Sequence, residues 1–329
     1  MEKKYKNIVL FACLLAAVVV TLGAYTRLSN AGLGCPDWPG CYGFLTVPNE
    51  HHEISAAQSA FPEAEIEPKK AWIEMVHRYF AGTLGLVILA IALLAVRRAA
   101  TRPIPVKLSL FILVLVVFQA MLGMWTVTMN LQPFVVMGHL LGGFSILALL
   151  TLLVLRLNQR LVFTDEPAVR TLYPLTLGAL GVLIVQIALG GWLAANYAAP
   201  HCVGLPLCQN IELFSLESLF HLPVGASNYE YGVLPFETRL SIHLVHRIWA
   251  MVTLAVLGFA AFKVYMSAIG TQLKGAAKLV LFLLIAQVVV GGAIVHWQFP
   301  LHLTLFHNFM AAMLLISTVR LVYLVRAKA

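Results

Sequence analysis

The sequence predicts an all-α, polytopic membrane protein with eight transmembrane helices, arranged as two four-helix bundles. Three observations carry that expectation. Hydrophobic residues make up 60% of the 329 positions and charged ones only 11%, with a mean hydropathy of +0.88, a balance outside the range of soluble domains. Apolar runs of about 20 residues, the length that crosses a bilayer as a helix, recur along the chain. Short motifs from the first half also return in the second at a nearly constant offset, as a duplicated bundle requires.

Eight spans are expected near residues 8–28, 72–96, 107–128, 134–156, 172–195, 241–265, 277–296 and 302–325. The first ends in the polar stretch Gly23-Ala-Tyr-Thr-Arg-Leu-Ser-Asn30. It is too long for a cleaved leader and lacks a small-residue cleavage site, so it is expected to stay as a span. After it comes Cys35-Pro-Asp-Trp-Pro-Gly-Cys41, then an acidic insert over 49–68 containing His51 and His52. The second span opens with Glu74, His77 and Arg78, and the third carries Phe118-Gln-Ala-Met-Leu-Gly-Met-Trp125. Gly138-His-Leu140 starts the fourth, placing His139 near its outer end. The fifth repeats the Gln-containing signature at Gln186, and the outer loop after it holds Cys202-Val-Gly-Leu-Pro-Leu-Cys208. Arg239, His243, His246 and Arg247 open the sixth span, Gln287 lies in the seventh, and Phe306-His-Asn308 begins the eighth.

The net charge is +8 and the pI near 9.3, yet no nucleic-acid partner is expected. Sixteen of the 22 Lys and Arg residues fall at alternate ends of the spans: Lys3, Lys4 and Lys6; Arg97, Arg98, Arg102 and Lys107; Arg156, Arg160 and Arg170; Lys263, Lys274 and Lys278; Arg320, Arg326 and Lys328. The acids Asp37, Glu50, Glu53, Glu63, Glu65, Glu67, Glu212, Glu217 and Glu230 gather on the opposite side. Basic residues in short loops mark the cytoplasmic face, so both termini are expected in the cytoplasm and the 1–2 and 5–6 loops outside.

Each outer loop has a C-x5-C pair on the oxidising side, and Pro and Gly can turn the short segment between the cysteines. Disulfides Cys35–Cys41 and Cys202–Cys208 are expected, with free or metal-binding thiols as the alternative; Cys13, inside the first span, is expected to pack as a small apolar residue. The offsets are 167 for both cysteines, 169 for His77 and His246, and 168 for Gln119 and Gln287 and for His139 and His307. Two halves are therefore expected, 1–160 and 161–329. Four spans per half make the repeat parallel, with a pseudo-two-fold axis along the membrane normal. Gly pairs at 142–143, 190–191 and 291–292 are expected to allow close helix contacts.

Ionisable groups in a bilayer are costly and suggest function. His77 and His139 are expected at similar depth on different helices, as are His246 and His307. Paired imidazoles on facing helices of a bundle suit a haem iron bound from both faces. Zinc competes, but it takes four ligands, or three plus water, and only Glu74 or His243 accompanies each pair. Glu74 shares a helix face with His77 three residues on; its counterpart in the second half is His243. A buried carboxyl beside the first pair could relay protons or stabilise developing positive charge. Arg27, Arg78, Arg239 and Arg247 cluster near the outer helix ends as candidate propionate contacts, with interfacial snorkelling as the plainer alternative. His51, His52, His201 and His221 are expected to be solvated, and His296 and His302 to flank the last turn near the interface. The glutamines are assigned no role beyond bonding between helices.

Together these residues resemble the haem A synthase family. The resemblance is carried by Gly-Ala-Tyr-Thr-Arg-Leu-Ser at 23–29, Gly-Cys-Pro-Asp-Trp-Pro-Gly-Cys at 34–41, Glu-Met-Val-His-Arg at 74–78, Gly-His-Leu at 138–140, His-Leu-Val-His-Arg at 243–247 and Phe-His-Asn at 306–308. It spans nearly the whole chain and is similar to the bacterial class with paired outer cysteines. It implies an enzyme that oxidises the C8 methyl of haem O to a formyl group, through two hydroxylations and loss of water, to give haem A for terminal oxidases. It also implies that His77 and His139 flank the haem O/haem A site in the N-terminal half, that Glu74 is the essential acid there, and that His246 and His307 ligate a haem b for electron delivery. The N-terminal cysteine pair would take part in electron transfer. The 49–68 insert departs from the family pattern.

The implied setting is a bacterial cell membrane, crossed many times, with the haem sites toward the outer face. Expected partners are haem O and a membrane electron donor, with quinol as the candidate. Haem O synthase, terminal oxidase assembly factors and a second copy of the chain are further candidates. Two readings compete: a dihaem b cytochrome that passes electrons from quinol without modifying haem, and a haem exporter or insertion chaperone. A prenyltransferase that makes haem O would need Asp-rich motifs inside the membrane, and the spans contain none.

Overall fold

The computed structural model describes residues 2–98, 104–158 and 166–326. Arg102, Arg160, Lys328 and the division between residues 160 and 161 lie outside the described residues.

Ten α-helices are described: α1 (Glu2–Leu28), α2 (His51–Ala60), α3 (Pro68–Arg98), α4 (Val106–Thr128), α5 (Pro133–Leu157), α6 (Pro167–Arg170), α7 (Tyr173–Ala195), α8 (Phe236–Ser267), α9 (Thr271–His296) and α10 (Leu301–Arg326). Three short 3₁₀ turns lie in the loop between α7 and α8. Strands are absent among the described residues; one isolated bridge joins Cys41 and Phe44. All helices but α2 and α6 are long and apolar enough to cross a membrane, and they match the eight expected spans. The protein is an all-α, multi-pass membrane protein.

Several helices outrun their apolar runs. α3 begins at Pro68 and α8 at Phe236, because a helix can continue into the polar zone while each N–H still finds its carbonyl partner. Proline at the start of α5 and α7 needs no partner for its missing N–H. Over 49–68 the structure adds an element that hydrophobic periodicity does not signal, the helix α2. The Glu53 carboxylate receives the Asn49 and Glu50 backbone N–H groups at 3.0 and 3.1 Å, satisfying donors that a helix start leaves open.

Neighbouring helices close two rings. In one, α1 packs on α3 and α5 while α4 bridges α3 and α5; in the other, α7 packs on α8 and α10 while α9 bridges α8 and α10. The rings meet where α5 touches α7 and α10 and where α1 touches α10. One large apolar cluster, from Tyr5 and Val9 through Leu147 and Leu150 to Leu314 and Leu321, runs across both. Apart from Tyr5 and Phe144 its buried members are aliphatic, which leaves the few polar side chains between helices conspicuous.

Candidate functional site

Two histidine pairs lie between the helices of the two rings. His77 comes from α3 and His139 from α5, with ring centroids 6.4 Å apart and planes at 85°. Metal–imidazole bonds of about 2 Å, with ring centres roughly 1 Å behind each nitrogen, put two rings that share one metal about 6 Å apart. The first pair has that spacing. No group of three or more His, Cys, Asp or Glu side chains placed to hold a metal ion exists among the described residues, so a zinc site lacks donors. The Nδ1 atoms of His77 and His307 are buried with no protein partner. Two imidazoles with apolar surroundings fit a bis-histidine haem better than a hard or a tetrahedral ion.

Each of the four rings rests on a glycine of a neighbouring helix. A Cβ added at Gly23 of α1 would lie 3.0 Å from Cε1 of His77, and one at Gly123 of α4 would lie 3.1 Å from Cε1 of His139. In the other half the distances are 3.1 Å from Gly190 of α7 to His246 and 3.2 Å from Gly291 of α9 to His307. These glycines are therefore floors for imidazoles as well as helix–helix contacts. Gln119 reaches His139, with Nε2 at 3.0 Å from Nδ1 and 2.6 Å from the backbone oxygen. Gln186 lies 3.3 Å from Nδ1 and 3.4 Å from Nε2 of His246. Gln287 donates to the His307 backbone oxygen at 3.1 Å. The sequence signal for these contacts was the recurring Gln-x3-Gly motif, whose glycine is the floor residue.

Glu74 is buried, at 5% exposure, and both of its oxygens are engaged. Arg78 approaches one to 2.5 Å and the Cys35 backbone N–H donates to the other at 3.0 Å. Arg78 also donates to the backbone oxygens of Asp37, at 2.9 Å, Pro39 and Gly40. The Cys35–Cys41 disulfide is formed and packs on Ala71 and Met75 of α3. The second half repeats the arrangement. Cys202–Cys208 is formed and packs on Leu240 and Leu244 of α8, while Arg247 donates to the Gly204 and Cys202 oxygens. His243, where Glu74 would stand, is buried with Nδ1 2.7 Å from the Ala199 oxygen. Glu74 and His243 thus tie their cystine-bearing loops to the helix beneath.

The other arginines at this end of the helices also have backbone partners. Arg27 crosses between the halves, donating to Ala194 O at 2.5 Å and stacking 3.6 Å over the Tyr197 ring. Arg239 holds its own loop through Leu234, Tyr231 and Gly232. Arg27 and Arg247 each retain a buried Nε with no partner, a donor still open to a bound anion.

His51, His52 and His221 are exposed, in keeping with expectation, and His296 and His302 are exposed beside the turn between α9 and α10. His201 is not solvated as expected. Its ring packs 5.4 Å from Phe236 and its Nδ1 is buried, and burial lowers its pKa first, with Arg239 adding to the effect. Burial raises the pKa of Tyr42, reinforced by nearby acids, and its hydroxyl donates to Glu65 O at 2.7 Å. Cys13 is half-buried and bonds Thr151 Oγ1 at 3.4 Å.

The model of a family described as cytochrome oxidase assembly protein matches residues 6–319. A haem A synthase of Shewanella oneidensis is 48% identical over 309 residues, covering 93% of this chain and 92% of that protein. Haem A synthases of Flavobacterium johnsoniae and Shouchella clausii are 28% and 24% identical, covering 96% and 95% of this chain and 96% and 94% of theirs.

Proposed function

Because this chain belongs to the haem A synthase family of cytochrome oxidase assembly proteins, we propose that it oxidises the C8 methyl group of haem O to a formyl group, giving haem A for terminal oxidases. The observation that carries the reading is the 6.4 Å His77–His139 pair, with a buried carboxylate three residues before His77 on the same helix. Residues 1–160 form the substrate half, where these histidines hold haem O and then haem A. Residues 161–329 form the electron-delivery half, where His246 and His307 hold haem b. When bound, haem b supplies one-electron redox chemistry.

The protein's own groups divide the remaining work. Glu74 holds or moves a proton near His77, and its counterpart His243 stands where only electron transfer is needed. Arg78 keeps that carboxylate in place and fastens the cystine loop above it, excluding water from the substrate half. Arg27 and Arg247, through their open Nε–H groups, contact propionates; Arg78 and Arg239 contribute positive charge at the same end. The Cys35–Cys41 pair, tied to Glu74 through the Cys35 N–H, takes part in passing electrons. The protein sits in the bacterial cell membrane with both termini cytoplasmic and the haem sites toward the outer face. It takes electrons from a membrane donor such as quinol, and haem O synthase, terminal oxidase assembly factors and a second copy are its candidate partners.

Purification from cells that make haem O, followed by pyridine haemochrome spectroscopy and chromatography of the pigment, tests the reading. The wild type is expected to carry a formyl-bearing haem beside haem b, and Glu74→Gln to lose it while keeping haem b. Haem b alone in both proteins would instead support a dihaem cytochrome and sink the enzyme reading.

A further inference from the structure

The two cystine-bearing loops present different surfaces. Across residues 46–71, which include α2 and the acids Glu50, Glu53, Glu63, Glu65 and Glu67, no large hydrophobic side chain is exposed. Between α7 and α8 the reverse holds. Leu205, Leu207, Leu213, Leu216 and Phe220 are all exposed, Phe220 at 82%. Scattered exposed leucines need no explanation, but a run of them on one pinned segment does.

The segment is pinned to α8 at two places. The Ser215 N–H donates to Ser241 Oγ at 3.1 Å, and Ser218 Oγ donates to the same oxygen at 3.3 Å. Phe214 packs on the cluster holding Leu240 and Leu244, and Leu219 on the cluster holding Ile242. Closer to the cystine, Arg247 holds the Gly204 and Cys202 oxygens. Side chains on a helix lean toward its N-terminus, so this guanidinium meets the loop about one turn before residue 247.

These attachments set a depth. α8 has 32 residues, more than a bilayer core requires. Lys263 is the charged residue near its far end, and His243 lies about 20 residues back from it, the length that crosses the hydrocarbon. Both attachments fall at that level. Ile248 and Met251 come four and seven residues after Leu244, on the same face of α8, and both are exposed. The pinned segment therefore lies directly above lipid-facing side chains, and its own apolar side chains extend their surface.

We propose that residues 205–220 form a lipid-docking segment, with Leu213, Leu216 and Phe220 entering the leaflet that bathes Ile248 and Met251. The attraction is apolar. The segment contains no Lys or Arg, and its two acids, Glu212 and Glu217, disfavour anionic headgroups. Zwitterionic lipid is sufficient, and salt does not weaken the contact. The second cystine is thereby held at the membrane boundary, while residues 46–71 beside the first stay in water.

The first test leaves the chain unaltered. Wild-type protein is reconstituted in phosphatidylcholine vesicles that include a phosphatidylcholine with a photoactivated diazirine on its acyl chain. Labelled peptides are then located by mass spectrometry. Label is expected in 205–220 and in the peptide containing Met251, and none in 46–71. No label in 205–220 overturns the proposal. The second test places a spin label at Leu216→Cys or Phe220→Cys in a Cys13→Ala background, with both cystines verified by non-reducing mass analysis. Oxygen, which concentrates in hydrocarbon, is expected to relax these labels severalfold more than a water-soluble nickel chelate does, at low and high salt alike. A label at Asn228→Cys is expected to show the opposite order. Stronger relaxation by the chelate at 216 and 220 puts the segment in water and overturns the assignment. Protection from both reagents shows protein there, a second copy or another partner, and overturns it equally.

Discussion

At the scale of single residues, the site depends on what lies behind each imidazole. A histidine in a helix interior can swing among rotamers, and the four glycines limit that freedom by bringing helix backbone up to the ring. Adding a methyl group at Gly190 puts a carbon 3.1 Å from His246 Cε1, so the ring must shift. If His246 holds a haem as proposed, Gly190→Ala is expected to lower the haem content of that half. Gly178→Ala on the same helix has open space around it, and it should leave haem unchanged and stabilise α7 by up to about 1 kcal/mol. Pyridine haemochrome titration of both variants checks this; equal haem content would show that the floor does not hold the ligand. The histidines and Glu74 were legible from sequence because polar residues in apolar spans are conspicuous. Of the floors, Gly190 and Gly291 were legible only as members of Gly-Gly pairs, which do not announce which ring they face, and Gly23 and Gly123 had no packing role assigned.

At the scale of elements, each cystine-bearing loop is fastened to the helix that carries the first histidine of its half. The fastener is the guanidinium one position after that histidine, Arg78 or Arg247, which gathers the carbonyls of a disulfide-closed loop. In the first half the same guanidinium pairs with buried Glu74. Removing one member of a buried pair strands the other and costs about 3–5 kcal/mol. Arg78→Ala should therefore loosen the 35–44 segment, with faster hydrogen–deuterium exchange there and unchanged exchange over 202–208. Equal protection in variant and wild type would mean that the disulfide and the apolar contacts of Tyr42 and Val47 hold the loop unaided. The sequence suggested that these arginines face propionates, because a helix-end arginine has that chemistry. Their backbone partners depend on the path of a loop about forty residues distant, which local patterning does not specify. The helix α2 went unread for a similar reason: ten residues with mixed polarity become helical through the Glu53 cap and the packing of Ala57 against the disulfide cluster.

At the scale of the whole molecule, two four-helix rings share one apolar interior and are joined by polar contacts at the end that bears the cystines. Arg27 reaches from α1 to the C-terminal end of α7, where unpaired carbonyls favour a cation, and stacks on Tyr197. Asn130 accepts from the Tyr229 N–H at 3.0 Å and donates to Ser227 O at 2.8 Å. Arg27→Ala is expected to destabilise the folded protein by about 1–3 kcal/mol, seen as a lower midpoint in detergent unfolding, with the disulfides intact. No change in the midpoint would place the cohesion of the halves in the packing of α5 on α7 and α10, of α1 on α10, and in the Asn130 contacts. The sequence by itself determined the number of spans, the two cystines, the spacing of the motifs and the four histidines. Hydropathy, cysteine spacing and repeat offsets are properties of residues along the chain, and the bilayer allows few ways to satisfy them. Only the tertiary structure decided how closely His77 and His139 approach, what each arginine holds and that Gln119 meets a ring nitrogen and a carbonyl together. Those contacts join residues on different helices, and their chemistry turns on differences of about an ångström that helix packing alone sets.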